Sequence, residues 1–133
     1  MRTVQVYYVP FPEDQLLSAL SAIAVKQSSS SQYFPQNPIQ SYISIAVFAD
    51  DTIIYYDQWE NGFDADIANP KNIYSAANPG GTQIWGDGDP SNGYPPGYPN
   101  DIIVAGNTIV LNSQVTTTTR QSVIDFDGGD KLA

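Results

Sequence analysis

The stretch Ser41-Tyr42-Ile43-Ser44-Ile45-Ala46-Val47-Phe48 decides the fold class. Its apolar residues recur at every second position, so Ile43, Ile45 and Val47 fall on one face and Tyr42, Ser44, Ala46 and Phe48 on the other, the signature of a half-buried strand. After Asp50-Asp51 the β-branched and aromatic run Thr52-Ile53-Ile54-Tyr55-Tyr56 follows. The short acidic break between the two runs predicts a tight turn and an antiparallel hairpin.

Working outward, Val4-Gln5-Val6-Tyr7-Tyr8-Val9 reads as a first strand closed by Pro10 and Pro12. From Glu13 the period changes: Leu16, Leu17, Leu20 and Ile23 lie at helical spacing, and Pro12, Glu13 and Asp14 suit a helix start. One short helix is expected there. Residues 26–38, with four consecutive serines and two prolines, read as a surface loop. Further strands are expected at residues 82–85 (weak), 101–104, 107–111, 115–119 and 122–126, with turns at Ala105-Gly106 and Asp127-Gly128-Gly129. The expected architecture is therefore a single mainly β domain spanning residues 1–133. It is an antiparallel, β-sandwich-like fold with one short helix near its N-terminus and long Gly/Pro/Asp-rich loops.

At 133 residues the chain can bury about two thirds of its unfolded surface, enough for a core without a staple. None is on offer, because there is no cysteine. Histidine is absent too, which removes the usual general base and the commonest transition-metal ligand. A net charge of -9, from fourteen acids against five Lys and Arg, repels phosphate backbones and makes nucleic acid an unsuitable partner. Calcium, glycans and other protein surfaces suit this charge. No run approaches the roughly eighteen apolar residues of a membrane-spanning helix. The opening residues lack the apolar core of a signal peptide, which fits a module of a longer precursor. Few charges and abundant Tyr, Asn, Thr, Ser, Gly and Pro have the balance of a secreted or cell-surface module.

Three constellations concentrate chemistry between residues 57 and 100, a length of irregular chain that in a small domain tends to be functional or ion-tied. The first is Asp57-Gln58-Trp59-Glu60-Asn61-Gly62-Phe63-Asp64-Ala65-Asp66. Its carboxylates, Asp57, Glu60, Asp64 and Asp66, supply the dense oxygen donors of a calcium site; the competing reading is a solvated acidic loop. The second, Asp87-Gly88-Asp89-Pro90-Ser91-Asn92-Gly93, places Asp87 and Asp89 like the start of a calcium loop. It is not an EF-hand, since its glycine falls one place late and no helices flank it, and a plain turn cluster is the favoured reading. The third is aromatic: Trp59, Trp85, Tyr94 and Tyr98 stand among acids and amides, as a sugar-stacking surface requires, against the alternative that the tryptophans anchor the core. A glycoside hydrolase could be assembled from Asp57 and Glu60 as acid and base. With fourteen carboxylates some pair always fits, so the chain reads as a non-enzyme.

The segments Tyr7-Tyr8-Val9-Pro10-Phe11-Pro12-Glu13, Ile54-Tyr55-Tyr56-Asp57-Gln58-Trp59-Glu60-Asn61-Gly62, Trp85-Gly86-Asp87-Gly88-Asp89 and Asp125-Phe126-Asp127-Gly128-Gly129-Asp130-Lys131 resemble the amino-terminal β-region of large secreted or surface-attached, adhesin-like proteins of bacteria and fungi. The resemblance spans most of the chain and implies a surface or matrix role. Where it leads one to expect a histidine and a further acid, this chain has Gln58 and Asn61. The function expected is an extracellular structural or adhesion module with calcium-organised loops; the alternative is a carbohydrate-binding module. Self-assembly is a further expectation. The strand at residues 3–9 is aromatic and β-branched, and residues 125–133 stop after a turn as though a strand were missing, so one copy's end could complete its neighbour's sheet and propagate a filament.

Overall fold

The computed structural model describes residues 4–10, 39–59, 61–115, 126 and 128–133. The elements run β1 (Tyr7–Tyr8), β2 (Ile39–Ala46), β3 (Ile54–Asp57), β4 (Gln83–Trp85), a single 3-10 turn (Pro90–Asn92), β5 (Thr108–Val115) and β6 (Lys131–Leu132). They form a four-stranded sheet in the order β1-β6-β3-β4 and a two-stranded sheet, β2-β5. Every pairing between the described strands is antiparallel. The chain is mainly β, as its periodicity requires. The helix expected from Glu13 onward lies outside the described residues, as do the serine loop and residues 116–125.

β2 and β5 carry the alternation read from the sequence. Ile43 faces Leu111 and Ile45 faces Ile109 across the ladder, and these four turn to the core while Tyr42, Ser44, Ala46, Val110 and Asn112 stay exposed. Phe48, on the outward face, is 91% exposed. The expected hairpin is corrected: β2 does not pair with β3. Asp51 takes a left-handed conformation, φ 57°, and the Thr52 hydroxyl donates to the Ala49 carbonyl at 2.6 Å. The turn thus carries the chain from one sheet into the other. The reason is the interior each strand must cover, since β2 finds its apolar complement in Ile109 and Leu111 of β5 and not in its chain neighbour.

Both sheets contribute to one core of Val47, Ile54, Tyr56, Trp85, Ile103, Ile109 and Leu111, with Ile43, Ile45, Tyr98, Phe126 and Leu132 packed against it. At its centre the Tyr56 and Trp85 rings stack, centroids 4.8 Å apart and planes 18° apart. Phe126 meets both edge-on, at 5.4 and 6.1 Å. Offset-stacked and edge-to-face pairs such as these add about 0.5–1.5 kcal/mol each beyond the area they bury. The buried polar tips are satisfied: Trp85 Nε1 donates to Gln83 Oε1 at 2.9 Å and the Tyr56 hydroxyl to Asp130 Oδ2 at 2.7 Å.

Two further expectations change. Residues 101–104 alternate like a strand, with Ile103 buried and Ile102 and Val104 63% and 45% exposed, yet join no ladder. The carboxy-terminal residues are themselves a strand: β6 lies between β1 and β3, and Ala133 exchanges two backbone hydrogen bonds with Tyr55. β1 shrinks to two residues plus Val9, which donates to Asp130 O and accepts from Gly129 N. The two ends expected to complete a neighbouring copy's sheet complete one another inside one chain.

Candidate functional site: carboxylates bracing the long loops

Residues 58–107 hold little regular structure, so their backbone groups need other partners. Aspartates provide many of them. Asp57, the last residue of β3, is 1% exposed, and its Oδ2 accepts the Asp64 N–H at 2.7 Å. Asp64 accepts three more donors, the N–H groups of Lys71 and Asn72 at 3.1 and 3.2 Å and the Thr82 hydroxyl at 2.8 Å. Thr82, itself buried, bonds across to Asn72 and Tyr74 through its backbone. One carboxylate therefore ties the Asp57–Asp66 loop to the chain entering β4. Asn61 adds a bond to the Gly80 carbonyl.

The second loop is braced in the same manner. Asp101, fully buried and left-handed at φ 54°, accepts the Gly86 N–H at 2.8 Å and the Gly88 N–H at 2.9 Å. Gly86 cannot carry a side chain there, because a Cβ would sit 2.5 Å from the Thr52 carbonyl oxygen. Asp87 receives Asp89 N and Asn92 Nδ2, each at 2.8 Å; Asp89 caps the 3-10 turn by accepting Ser91 N at 3.0 Å and Ser91 Oγ at 2.6 Å. Asp50 Oδ1 holds Ala105 N at 2.9 Å.

Of the six acids read as calcium ligands, the structure brings Asp57 and Asp64 together, sets Asp87 and Asp89 in the separate second loop, and leaves Asp66 exposed; Glu60 lies outside the described residues. Among the described residues no three acids converge as a metal-binding group. The aromatic set also divides. Trp85 is 0% exposed and belongs to the core, which takes it out of any surface platform. Tyr98 is half-buried against the core with its hydroxyl on the Thr108 carbonyl at 3.2 Å, Trp59 packs over Gly129, and Tyr94 is exposed. Gln58 is buried, and its Oε1 meets no donor among the described residues. Sequence reasoning missed Asp101, Asp130, Thr82 and Lys131. Each works through a partner far along the chain, and no local signal marks it.

Burial raises the Asp57 carboxyl above its ordinary range, with the Asp64 charge adding to the rise against the donors from Asp64 and Thr82 and the Lys131 charge. Burial likewise raises Asp101, assisted by the neighbouring Asp87 carboxyl and opposed by the two glycine N–H groups. For Asp64 burial is again the largest single influence and acts upward, but Thr82, Lys71, Asn72 and Lys131 together bring the carboxyl below the ordinary value. Asp57 and Asp101 bind a proton more tightly folded than unfolded. Their contribution to stability is therefore complete below the unfolded pKa, about 3.9, and is lost as pH rises through their folded values. Asp64 acts oppositely, contributing above about 3.9 and failing as pH falls through its depressed value. Relief of the overall negative charge also favours the fold on acidification. In urea titrations between pH 4 and 7, Asp57→Asn should gain less from acidification than the parent chain. Equal gains would show that Asp57 titrates as it does in the unfolded chain.

Comparison with protein-family models, characterised proteins and solved structures finds no match to this chain. No helix among the described residues is long and apolar enough to cross a membrane.

Proposed function

We propose that the chain is a structural or adhesion module of an extracellular or cell-surface protein, built as a β-sandwich-like scaffold that displays long rigid loops. One observation carries this reading. The loop carboxylates face inward to backbone N–H groups, as Asp64 and Asp101 do, an arrangement that holds a surface in shape and leaves few acids poised for acid–base chemistry. The segments that resemble surface proteins and the secreted-type composition support the same reading.

Calcium is not needed for it. Asp57, Asp64, Asp87 and Asp89 each already accept protein donors, and those bonds hold the loops without an ion. A ligand bound only by the folded chain raises its stability in proportion to the logarithm of its concentration over Kd. The expected result is a melting midpoint that does not move between millimolar calcium and excess chelator; a rise with calcium would restore the ion. Filaments made by exchange of β1 are not part of the proposal, because β1 pairs with β6.

Antibody labelling of intact cells of the source organism is expected to reach the protein. Labelling only after permeabilisation would overturn the extracellular assignment, and turnover of an oligosaccharide by the purified chain would overturn the non-catalytic one. Retention on insoluble polysaccharide without turnover would favour a carbohydrate-binding module using Trp59, Tyr94 and Tyr98.

A further inference from the structure

The two sheets end in four described edge strands, β1 and β4 on one and β2 and β5 on the other. β1 and β4 are two and three residues long, too short to template a further strand. The ladder of the other sheet shows which backbone groups face outward. Val47 N donates to Asn107 O at 3.0 Å, which marks a bonded position beside the end of β2. Bonded and non-bonded positions alternate along an antiparallel pair, so Ile45 and Ile43 bond to β5 while the N–H and C=O groups of Gln40, Tyr42, Ser44 and Ala46 point away from it. Thr108, opposite Ala46, agrees: its carbonyl turns outward and accepts the Tyr98 hydroxyl at 3.2 Å, which also closes that end of the β5 edge. β2 has no such cover. Among the described residues no group bonds to the outward backbone of residues 40–46, and the side chains of Gln40, Tyr42, Ser44 and Ala46 are exposed.

Natural edge strands are kept apart by charge, proline, a bulge or shortness. β2 has none of these: it runs for eight residues in unbroken register, and residues 39–46 contain no Asp, Glu, Lys, Arg, Pro or Gly. We propose that β2 is a dimerisation strand, pairing antiparallel with β2 of a second copy so that two two-stranded sheets merge into one in the order β5-β2-β2-β5. The edge is complementary to itself. About a two-fold axis at Ile43, Tyr42 falls opposite the partner's Ser44 and Gln40 opposite the partner's Ala46, so each outward N–H and C=O from residue 40 to residue 46 meets its counterpart. No like charges oppose one another across that seam. Over the rest of the surface two copies repel, each carrying a net charge of -9, and the charge-free strand is where they can approach. One patch serves both copies, so the assembly closes at two and does not propagate. The dimer does not depend on the adhesion reading.

The test is sedimentation equilibrium of the full-length chain, with amide hydrogen exchange on the same samples. The average mass should rise with concentration from 14.5 kDa toward twice that value. The rise should be steeper in about 0.5 M than in about 0.02 M salt, because screening relieves the repulsion between copies. Exchange at Gln40, Tyr42, Ser44 and Ala46 should slow as concentration increases, while Ile43 and Ile45, already bonded to β5, stay protected throughout. Ser44→Pro removes one outward N–H from each copy at a position where an edge strand tolerates proline, and should weaken association on the order of tenfold or more. A chain that remains monomeric at its solubility limit in high salt overturns the proposal, even if an added foreign strand protects the same amides. A dimer that Ser44→Pro leaves intact overturns it as well, as does exchange at the four amides that ignores concentration. If Ser44→Pro fails to fold, exchange in the parent chain decides.

Discussion

Trp85→Ala is expected to cost about 3–5 kcal/mol, the range for removing a large buried aromatic from a close-packed core. Total stabilities of small domains run to only about 5–15 kcal/mol, so this one change should leave a substantial fraction of molecules unfolded at 25 °C. The size follows from position. Trp85 is completely enclosed, lies flat on Tyr56 and meets the edge of Phe126, so truncation removes apolar burial and two ring contacts together. It also leaves Gln83 Oε1 without its indole donor inside the protein. Trp85→Phe, which keeps a ring over Tyr56 but not the N–H, should recover more than half of the loss. Urea midpoints at constant m decide the matter: a Trp85→Ala loss below about 1 kcal/mol would place this residue outside the core.

Asp101→Ala should cost about 2–4 kcal/mol, an unusually large effect for a residue outside every strand. Hydrogen bonds to a charged acceptor contribute about 1.5–3 kcal/mol each, and this carboxylate accepts two, from Gly86 and Gly88. Removing a buried charge from beside Asp87 gives part of that back. The backbone takes a share of its own, since alanine is strained at φ 54° where aspartate and asparagine are tolerated. Asp101→Asn, which keeps the side-chain shape and one acceptor, should therefore lose less than the alanine variant. If the two lose equally, the carboxylate's second acceptor, and not the backbone conformation, sets the cost. Hydrogen exchange should show the Gly86 and Gly88 amides losing protection first in either variant. Unchanged protection at both would remove Asp101 as the brace of that loop.

Strand existence was legible wherever side-chain alternation carried it, and strand partnership was not. Ile43, Ile45 and Val47 announced a buried face from neighbouring residues alone. Nothing local told β2 that its partner was β5, because an acidic break between two β-rich runs looks the same whether the chain folds back or crosses to another sheet. Residues 101–104 show the converse: Ile103 is buried and its neighbours exposed, so the alternation was correctly read, but extended chain becomes a strand only with a neighbour to bond. In the candidate site, acid density singled out both loops. What ties them was illegible, since a carboxylate that would ligate an ion and one that accepts backbone N–H groups are the same residue in a sequence. The aromatic reading failed at Trp85 for a related reason, as a tryptophan among loop residues gives no sign of facing inward until the strands around it are placed.

The ladder between β2 and β5, together with the enclosure of β6 by β1 and β3, also dictates an order of events. Each described sheet pairing joins strands far apart along the chain: Ala46 faces Thr108, Tyr56 faces Gln83 and Leu132, and Tyr7 faces Leu132. No described pairing can zip up locally from a tight turn, and the loop-closure entropy must be met before any long-range contact rewards it. Whichever end of the chain is made available first, its strands must wait for those of the other end. If the amino-terminal half leads, Ile43 and Ile45 stay uncovered until Ile109 and Leu111 arrive. For that interval β2 is an unpaired strand with one apolar face, the kind of segment that a second unfinished chain can capture.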